Sequence, residues 1–204
     1  QLPQIGFDAL AHEAAAVNEI KWYKRFTVVI GNPPYTVMSA NLSDDARALI
    51  EPYRFVDGQR LREKSMLRLE MHLQDDYIKF IRVGQTVIDA AQCGILGYVT
   101  NHSFLDNPTL RGMRQNFGNG FPAVWLYDLH GSSKKKDDVP TGIEDKNVFD
   151  IQQGVAISLA AKHAQGDRGS SAPTHLVKHA DLFGSRDAKY QKLASSSIRT
   201  TAWA

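Results

Sequence analysis

Four short apolar runs, at 26–30, 94–100, 124–129 and 154–160, alternate with segments of helical period. That alternation restricts the chain to an α/β sheet with helices packed on it, mostly parallel and joined by right-handed crossovers. The first run, Phe26-Thr27-Val28-Val29-Ile30, is stopped by Gly31 and reads as a strand buried on both faces. A helix is expected over 7–23, where Leu10, Ala14, Val17, Ile20 and Trp22 put most apolar bulk on one side. The longest helical pattern covers 65–91, with Leu69, Leu73, Tyr77, Phe80, Ile81, Val87 and Ile88 at three- and four-residue steps, and with Asp75 and Lys79 as a supporting pair four apart. Asn107 and Pro108 open a short helix through 117, as cap and first turn. A last strand at 174–178 and a last helix at 187–194 follow a surface turn at 165–171. The expected division is an N-terminal helix at 1–25, a sheet domain at 26–164 and a C-terminal extension at 165–204. The sheet domain holds an insertion at 36–64 with short helices.

Composition narrows the class. A length of 204 residues suits one domain with its own core. The single Cys93 excludes an internal disulfide, fits a reducing cytoplasm and sits among small apolar neighbours as an inert thiol. No apolar run approaches the ~20 residues that cross a bilayer. The chain starts Gln-Leu-Pro-Gln, without Met or a signal-peptide pattern, so a fragment or processed chain is expected. Net charge is only +2, so any nucleic-acid contact must come from local basic clusters.

Ligands of such sheets bind beyond the carboxyl ends of the strands. The most unusual local sequences fall there: Asn32 to Tyr35, Asn101 to Phe104 and His130 to Lys136. In Asn32-Pro33-Pro34-Tyr35 the two prolines fix φ near about −65° and remove two donors. Each residue before a proline is held extended, so the corner is stiff and its carbonyls are free to point outward. Asn32 adds a side-chain acceptor and Tyr35 a flat face. Two acceptors beside a stacking surface suit a planar amine. If its N–H groups donate to the Asn32 side chain and the Pro33 carbonyl, the nitrogen lone pair is freed for attack on a methyl donor. The positive charge that builds there is stabilised by preplaced oxygens. A Pro-Pro turn without function is the competing reading, and the placement directly after a buried strand weighs against it.

The segment 28–35, Val-Val-Ile-Gly-Asn-Pro-Pro-Tyr, resembles the fourth motif of N6-adenine DNA methyltransferases of the gamma arrangement. The likeness continues through 76–82, 94–101, 103–106, 110–114, 128–131 with 133–136, and 147–157. The nearest group is the type ISP and related type IIG enzymes of bacterial restriction-modification systems. The resemblance implies a partial Rossmann-like methyltransferase fold, S-adenosylmethionine as cofactor and double-stranded DNA as partner. It implies Asn32, Pro33, Pro34 and Tyr35 as the catalytic clamp, Asn32 and Pro34 also facing the cofactor, and Phe149 as a second aromatic face on a flipped-out adenine. From the residues alone, Phe149 reads better as core. The family's Gly-rich cofactor motif has no counterpart in the 31 residues before Asn32. The expectation is therefore the catalytic-motif half of a larger restriction-modification polypeptide, weak or inactive by itself.

Other features carry less. Lys134, Lys135 and Lys136 suit phosphate contact or a solvated loop equally. Arg111 and Arg114 suit surface or phosphate contacts. Arg54, Arg60, Arg62, Lys64 and Arg68, mixed with acids, read as a solvated face. Asn101 and His102 could line the pocket or cap a turn. No Cys/His/Asp grouping has metal-ligand spacing, and no metal is expected. Two other functions stay open: methylation of another amine, on protein glutamine or RNA guanine, or a truncated methylase-like module without catalysis.

Overall fold

The computed structural model describes residues 5–35, 39, 41–62, 69–133, 139–163 and 176–204. Its centre is a five-stranded sheet ordered β1-β4-β6-β5-β7, from β1 (Val28–Gly31), β4 (Gly94–Asn101), β5 (Ala123–His130), β6 (Val155–Lys162) and β7 (Leu176–Asp181). Four of these strands run one way; β6 alone opposes its neighbours β4 and β5. The α/β class with a mostly parallel sheet is thus observed, with one reversed strand. A small hairpin, β2 (Phe55–Val56) and β3 (Gln59–Arg60), stands apart.

Side chains alternate between two faces. Leu96, Tyr98, Val124 and Ala160 point into the larger core with Ile78, Ile81, Ile88 and Met113. These come from α4 (Asp76–Ala91) and α5 (Arg111–Gly120). Gly84 lets α4 approach, because a Cβ there would run into Leu96 and Tyr98. Tyr127, Leu129 and Val155 face the other way, onto Val148 and Leu193 of α6 (Arg186–Ser195).

The described residues of the segment 36–64 contribute to the larger core. Its helix α2 (Asp44–Leu49) and the 3-10 turn Glu51–Arg54 bury Ile50 and Tyr53 fully, each worth about 1.5–3 kcal/mol. The long helical pattern is broken into α3 (Leu69–Leu73) and α4. Asp75 has extended backbone angles (φ −60, ψ 138) at the α4 N-cap, where acids are favoured over a helix interior. The expected pair of Asp75 with Lys79 is not the one formed. Lys79 Nζ lies 4.0 Å from Asp76 and donates to the Asn41 carbonyl at 2.5 Å.

Three further expectations need correction. Strand β1 is an edge strand and is not buried on both faces: Val29 packs on the core, while Val28 and Ile30 are 59% and 78% exposed. Nothing among the described residues covers that second face. Helix α1 (Ile5–Tyr23) forms, but Val17 and Ile20 on its apolar side are exposed. Arg54 is no solvated charge. It is buried, with Nε and Nη2 donating to Glu70 at 2.8 and 2.7 Å and Nη1 to Glu51 at 3.0 Å. The surface turn expected at 165–171 lies outside the described residues. Cys93 is half-buried. Among the described residues no helix is long and apolar enough to cross a membrane.

Candidate functional site

The carboxyl ends of β1, β4, β5 and β7 lie at one edge of the sheet, and so does the start of the reversed β6. Among the described residues, the corner 32–35, the turn after Asn101, the segments 131–133 and 139–154 and the turn into α6 adjoin that edge.

At the end of β1, Pro33 is buried while Asn32 and Pro34 are exposed, so the corner is anchored and still open. The Tyr35 hydroxyl donates to Asn32 Oδ1 at 2.6 Å, with the Val99 carbonyl 3.2 Å away. Burial pushes the Tyr35 phenol up to about 12, which keeps it a neutral donor. The Asn32 oxygen is therefore already engaged by Tyr35; a carbonyl oxygen has a second lone pair for another donor.

The fold brings Phe149 to Tyr35. Their ring centroids are 6.1 Å apart with planes tilted by 37°. A base stacked between two rings needs about 7–8 Å, twice the optimal carbon–carbon contact, so the rings must part slightly and turn parallel. Phe149 also lines a cleft of about 640 Å³ with Gly131, Ser133, Asn147, Asp150 and Arg186.

The segment carrying Phe149 has no helix or strand, and Asn147 replaces them. Its Oδ1 accepts from the Phe149 N–H at 2.9 Å, and its Nδ2 donates to the Gly131 and Gln153 carbonyls at 3.0 and 2.7 Å. Gly131 has φ +80 and stands against the Asn147 backbone, so it tolerates no side chain. Asp145 accepts from the Gly131 N–H at 2.7 Å and the Gly184 N–H at 3.0 Å.

A cluster missed in the sequence sits at the same edge. His102 Nδ1 is 3.0 Å from Asp128, and His130 is 3.7 Å from Asp128 and 2.7 Å from Asp181. His130 takes the left-handed φ of 51 at a bulge in β5 and stacks on Phe183 at 4.0 Å. A non-glycine residue there stores strain, a common trait of functional sites. Burial alone would push the Asp128 carboxyl up. The hydrogen bond and charge of His102, with the His130 N–H, hold it below the usual carboxylate range. The donor atoms of His102, Asp128 and His130 lie within 4.8 Å of one another, as do those of Asp128, His179 and Asp181. Either group could reach a metal ion. Their close mutual pairing already accounts for the arrangement as a His–Asp network. Sequence gave only one clue: His102 and His130 both end strands.

The remaining expected residues divide. Asn101 caps a turn, its Oδ1 accepting from Ser103. Arg114 is half-buried and donates to the Phe104 and Asn107 carbonyls, a local structural role. Lys134, Lys135 and Lys136 lie outside the described residues.

Comparison with known proteins bears on the family and the fold. The family model described as Eco57I restriction-modification methylase matches residues 4–134. No curated protein sequence matches the chain. Among solved structures, it resembles a nuclease-deletion mutant of the Type ISP restriction-modification enzyme LlaGI in complex with a DNA substrate mimic. That match has a TM-score of 0.73, 20% identity, and covers 97% of this chain and 18% of that one. It resembles the ATP-dependent Type ISP restriction-modification enzyme LlaBIII bound to DNA at TM-score 0.69 and 23% identity, over 88% of this chain and 12% of that one. The DrdV–DNA complex gives TM-score 0.70 and 21% identity, over 94% and 18%. The chain thus spans less than a fifth of the length of these structures, and the likeness is one of fold. With a sheet of this order, a corner 32–35 at its carboxyl edge and a family model that covers most of it, the chain belongs to the Eco57I restriction-modification methylase family.

Proposed function

We propose that this chain is the catalytic-motif half of an S-adenosylmethionine-dependent DNA methyltransferase that modifies the exocyclic N6 of adenine, working within a larger restriction-modification polypeptide in the cytoplasm. The observation that carries this reading is the meeting of Tyr35 and Phe149, far apart in sequence, beside the exposed Asn32 at a strand end. Together they offer two ring faces and a carbonyl acceptor, which is what recognition of a planar amine requires.

The residues divide the work. The Asn32 carboxamide oxygen accepts one N–H of the amine with its second lone pair, while Tyr35 holds the first. The Pro33 carbonyl accepts the other N–H. The amine is thereby drawn out of conjugation with the ring, and charge that develops on nitrogen meets fixed dipoles. Tyr35 and Phe149 hold the ring, each stack worth about 1–3 kcal/mol, and this demands a base taken out of the duplex.

S-adenosylmethionine, when bound, supplies an electrophilic methyl group. Asn32 and Pro34 would face one side of it, since they are exposed beside the edge of β1 that is unpaired among the described residues. Val28, Ile30 and Ile95 form an exposed apolar patch next to that edge, suited to pairing with the cofactor-binding half. Lys134, Lys135 and Lys136, on the connection that carries Phe149, are proposed to contact phosphate.

The test gives labelled methyl donor to the larger polypeptide with duplex DNA, RNA or a glutamine-bearing protein, and repeats it with this chain alone. Label in DNA from the larger polypeptide supports the reading. Label in RNA or protein instead would show that the same corner serves a different amine.

A further inference from the structure

Helix α6 carries Arg186, Lys189 and Tyr190 at steps of three and four, which places them on one face. That face meets the connection that carries Phe149 and takes its carbonyls one after another. Lys189 Nζ donates to the Lys146 carbonyl at 2.6 Å. Arg186 Nε donates to Asn147 at 3.0 Å. The Tyr190 hydroxyl donates to Val148 at 2.6 Å. Arg186 Nη2 donates to Phe149 at 3.1 Å and to the Asp150 carboxylate at 2.6 Å. Lys189 is fully buried and also reaches the Leu129 carbonyl and the Asp145 carboxylate, both at 2.6 Å. Its three N–H groups thus meet three acceptors.

A connection without secondary structure normally leaves its carbonyls to water. Here the carbonyls of 146, 147, 148 and 149 all end on one helix. Sliding this backbone by one residue would break every one of these bonds, so its register is fixed together with the direction of the Phe149 side chain.

We propose that α6 is the positioning element of the aromatic wall. Arg186 and Tyr190 hold the 146–149 backbone so that the Phe149 ring stands against Tyr35, and they act on methyl transfer through Phe149 without touching base or cofactor. This rests on the reading of Phe149 as a wall of the base pocket. It makes the segment after β7 part of the catalytic unit, although it lies outside the region that the family model matches.

The test uses Arg186→Gln, Tyr190→Phe, their double variant, Arg186→Lys and Phe149→Ala in the larger polypeptide. Lys189 is left alone because its loss threatens folding. In the double variant, amide exchange should quicken across 146–153 and stay unchanged in β4 and β6. Its kcat should fall about 10- to 100-fold, the scale of a misplacement near 1 Å, with KM for DNA within about twofold. Arg186→Lys should recover part of the loss. Normal exchange and kcat in the double variant, beside an impaired Phe149→Ala, would overturn the positioning role alone. A loss in kcat that follows a lowered Tm and a raised DNA KM would also overturn it, by showing that α6 only holds the fold. Undiminished transfer by Phe149→Ala would overturn the reading of Phe149 and the proposal with it.

Discussion

At the scale of single residues, Tyr35 is bound in two ways: its hydroxyl to Asn32 and its ring to Phe149. The two can be separated. Tyr35→Phe keeps the ring and should lower kcat modestly, about tenfold or less, by freeing the Asn32 carboxamide to turn. Tyr35→Ala removes both and should cost about a hundredfold, the worth of a base stack plus an orienting bond, in a steady-state methylation assay. Because burial pushes the phenol up to about 12, the pH–rate profile should show no break from Tyr35 ionisation between pH 6 and about 10. A second residue sets a pH dependence of stability. Burial first, and the Asp76 charge second, raise the Asp75 carboxyl from 3.8 to about 7, while Lys79 pulls against them. Below about pH 4 the carboxyl is protonated in both folded and unfolded chain; as pH climbs toward 7 the unfolded chain ionises first and stability is lost. Asp75→Asn should therefore match the parent near pH 4 and exceed it by about 1–4 kcal/mol at pH 8 in urea titrations. The corner 32–35 was legible in the sequence because prolines write rigidity into adjacent positions. The His102–Asp128–His130 cluster was not, since only the pairing of strands through β6 brings those residues together. Arg54 misled for a related reason: its partner Glu70 belongs to a helix that folds back over it.

Among the elements, α6 and residues 145–150 are tied together by hydrogen bonds and ion pairs. Lys189 stands at their centre with its ammonium fully buried against Asp145. Lys189→Met keeps the volume but leaves that carboxylate without its buried counter-charge, so a loss of about 3–5 kcal/mol is expected in denaturant unfolding, with α6 detaching first in hydrogen exchange. Elements with a clean period were read correctly from sequence: β4, β5 and β6 fall within two residues of the apolar runs that predict them. The break between α3 and α4 escaped because apolar spacing continues across it, and only the backbone preference of Asp75 marks the stop. The misreading of β1 has another cause. A continuous apolar run suits a strand covered on both faces, and among the described residues one face of β1 is uncovered.

For the whole molecule, the open edge of β1 and the patch of Val28, Ile30 and Ile95 lie beside the exposed Asn32 and Pro34. In the chain alone Ile30→Lys should change stability by no more than about 0.5 kcal/mol, as at an ordinary exposed site. In the larger polypeptide the same change should destabilise by several-fold more, because a charge would be buried where the proposed cofactor-binding half would seat. Parallel urea titrations of the two would show the difference, and equal effects would leave the patch without a partner. The proposed function is that one edge of this sheet presents adenine N6 to a methyl donor. Mass spectrometry of nucleosides from duplex DNA treated with the larger polypeptide tests that claim most directly. N6-methyladenine should be the new nucleoside, with its yield cut at least about tenfold by Tyr35→Ala and by Phe149→Ala. A methylated cytosine in its place, or undiminished N6-methyladenine from the Tyr35→Ala variant, would contradict the account.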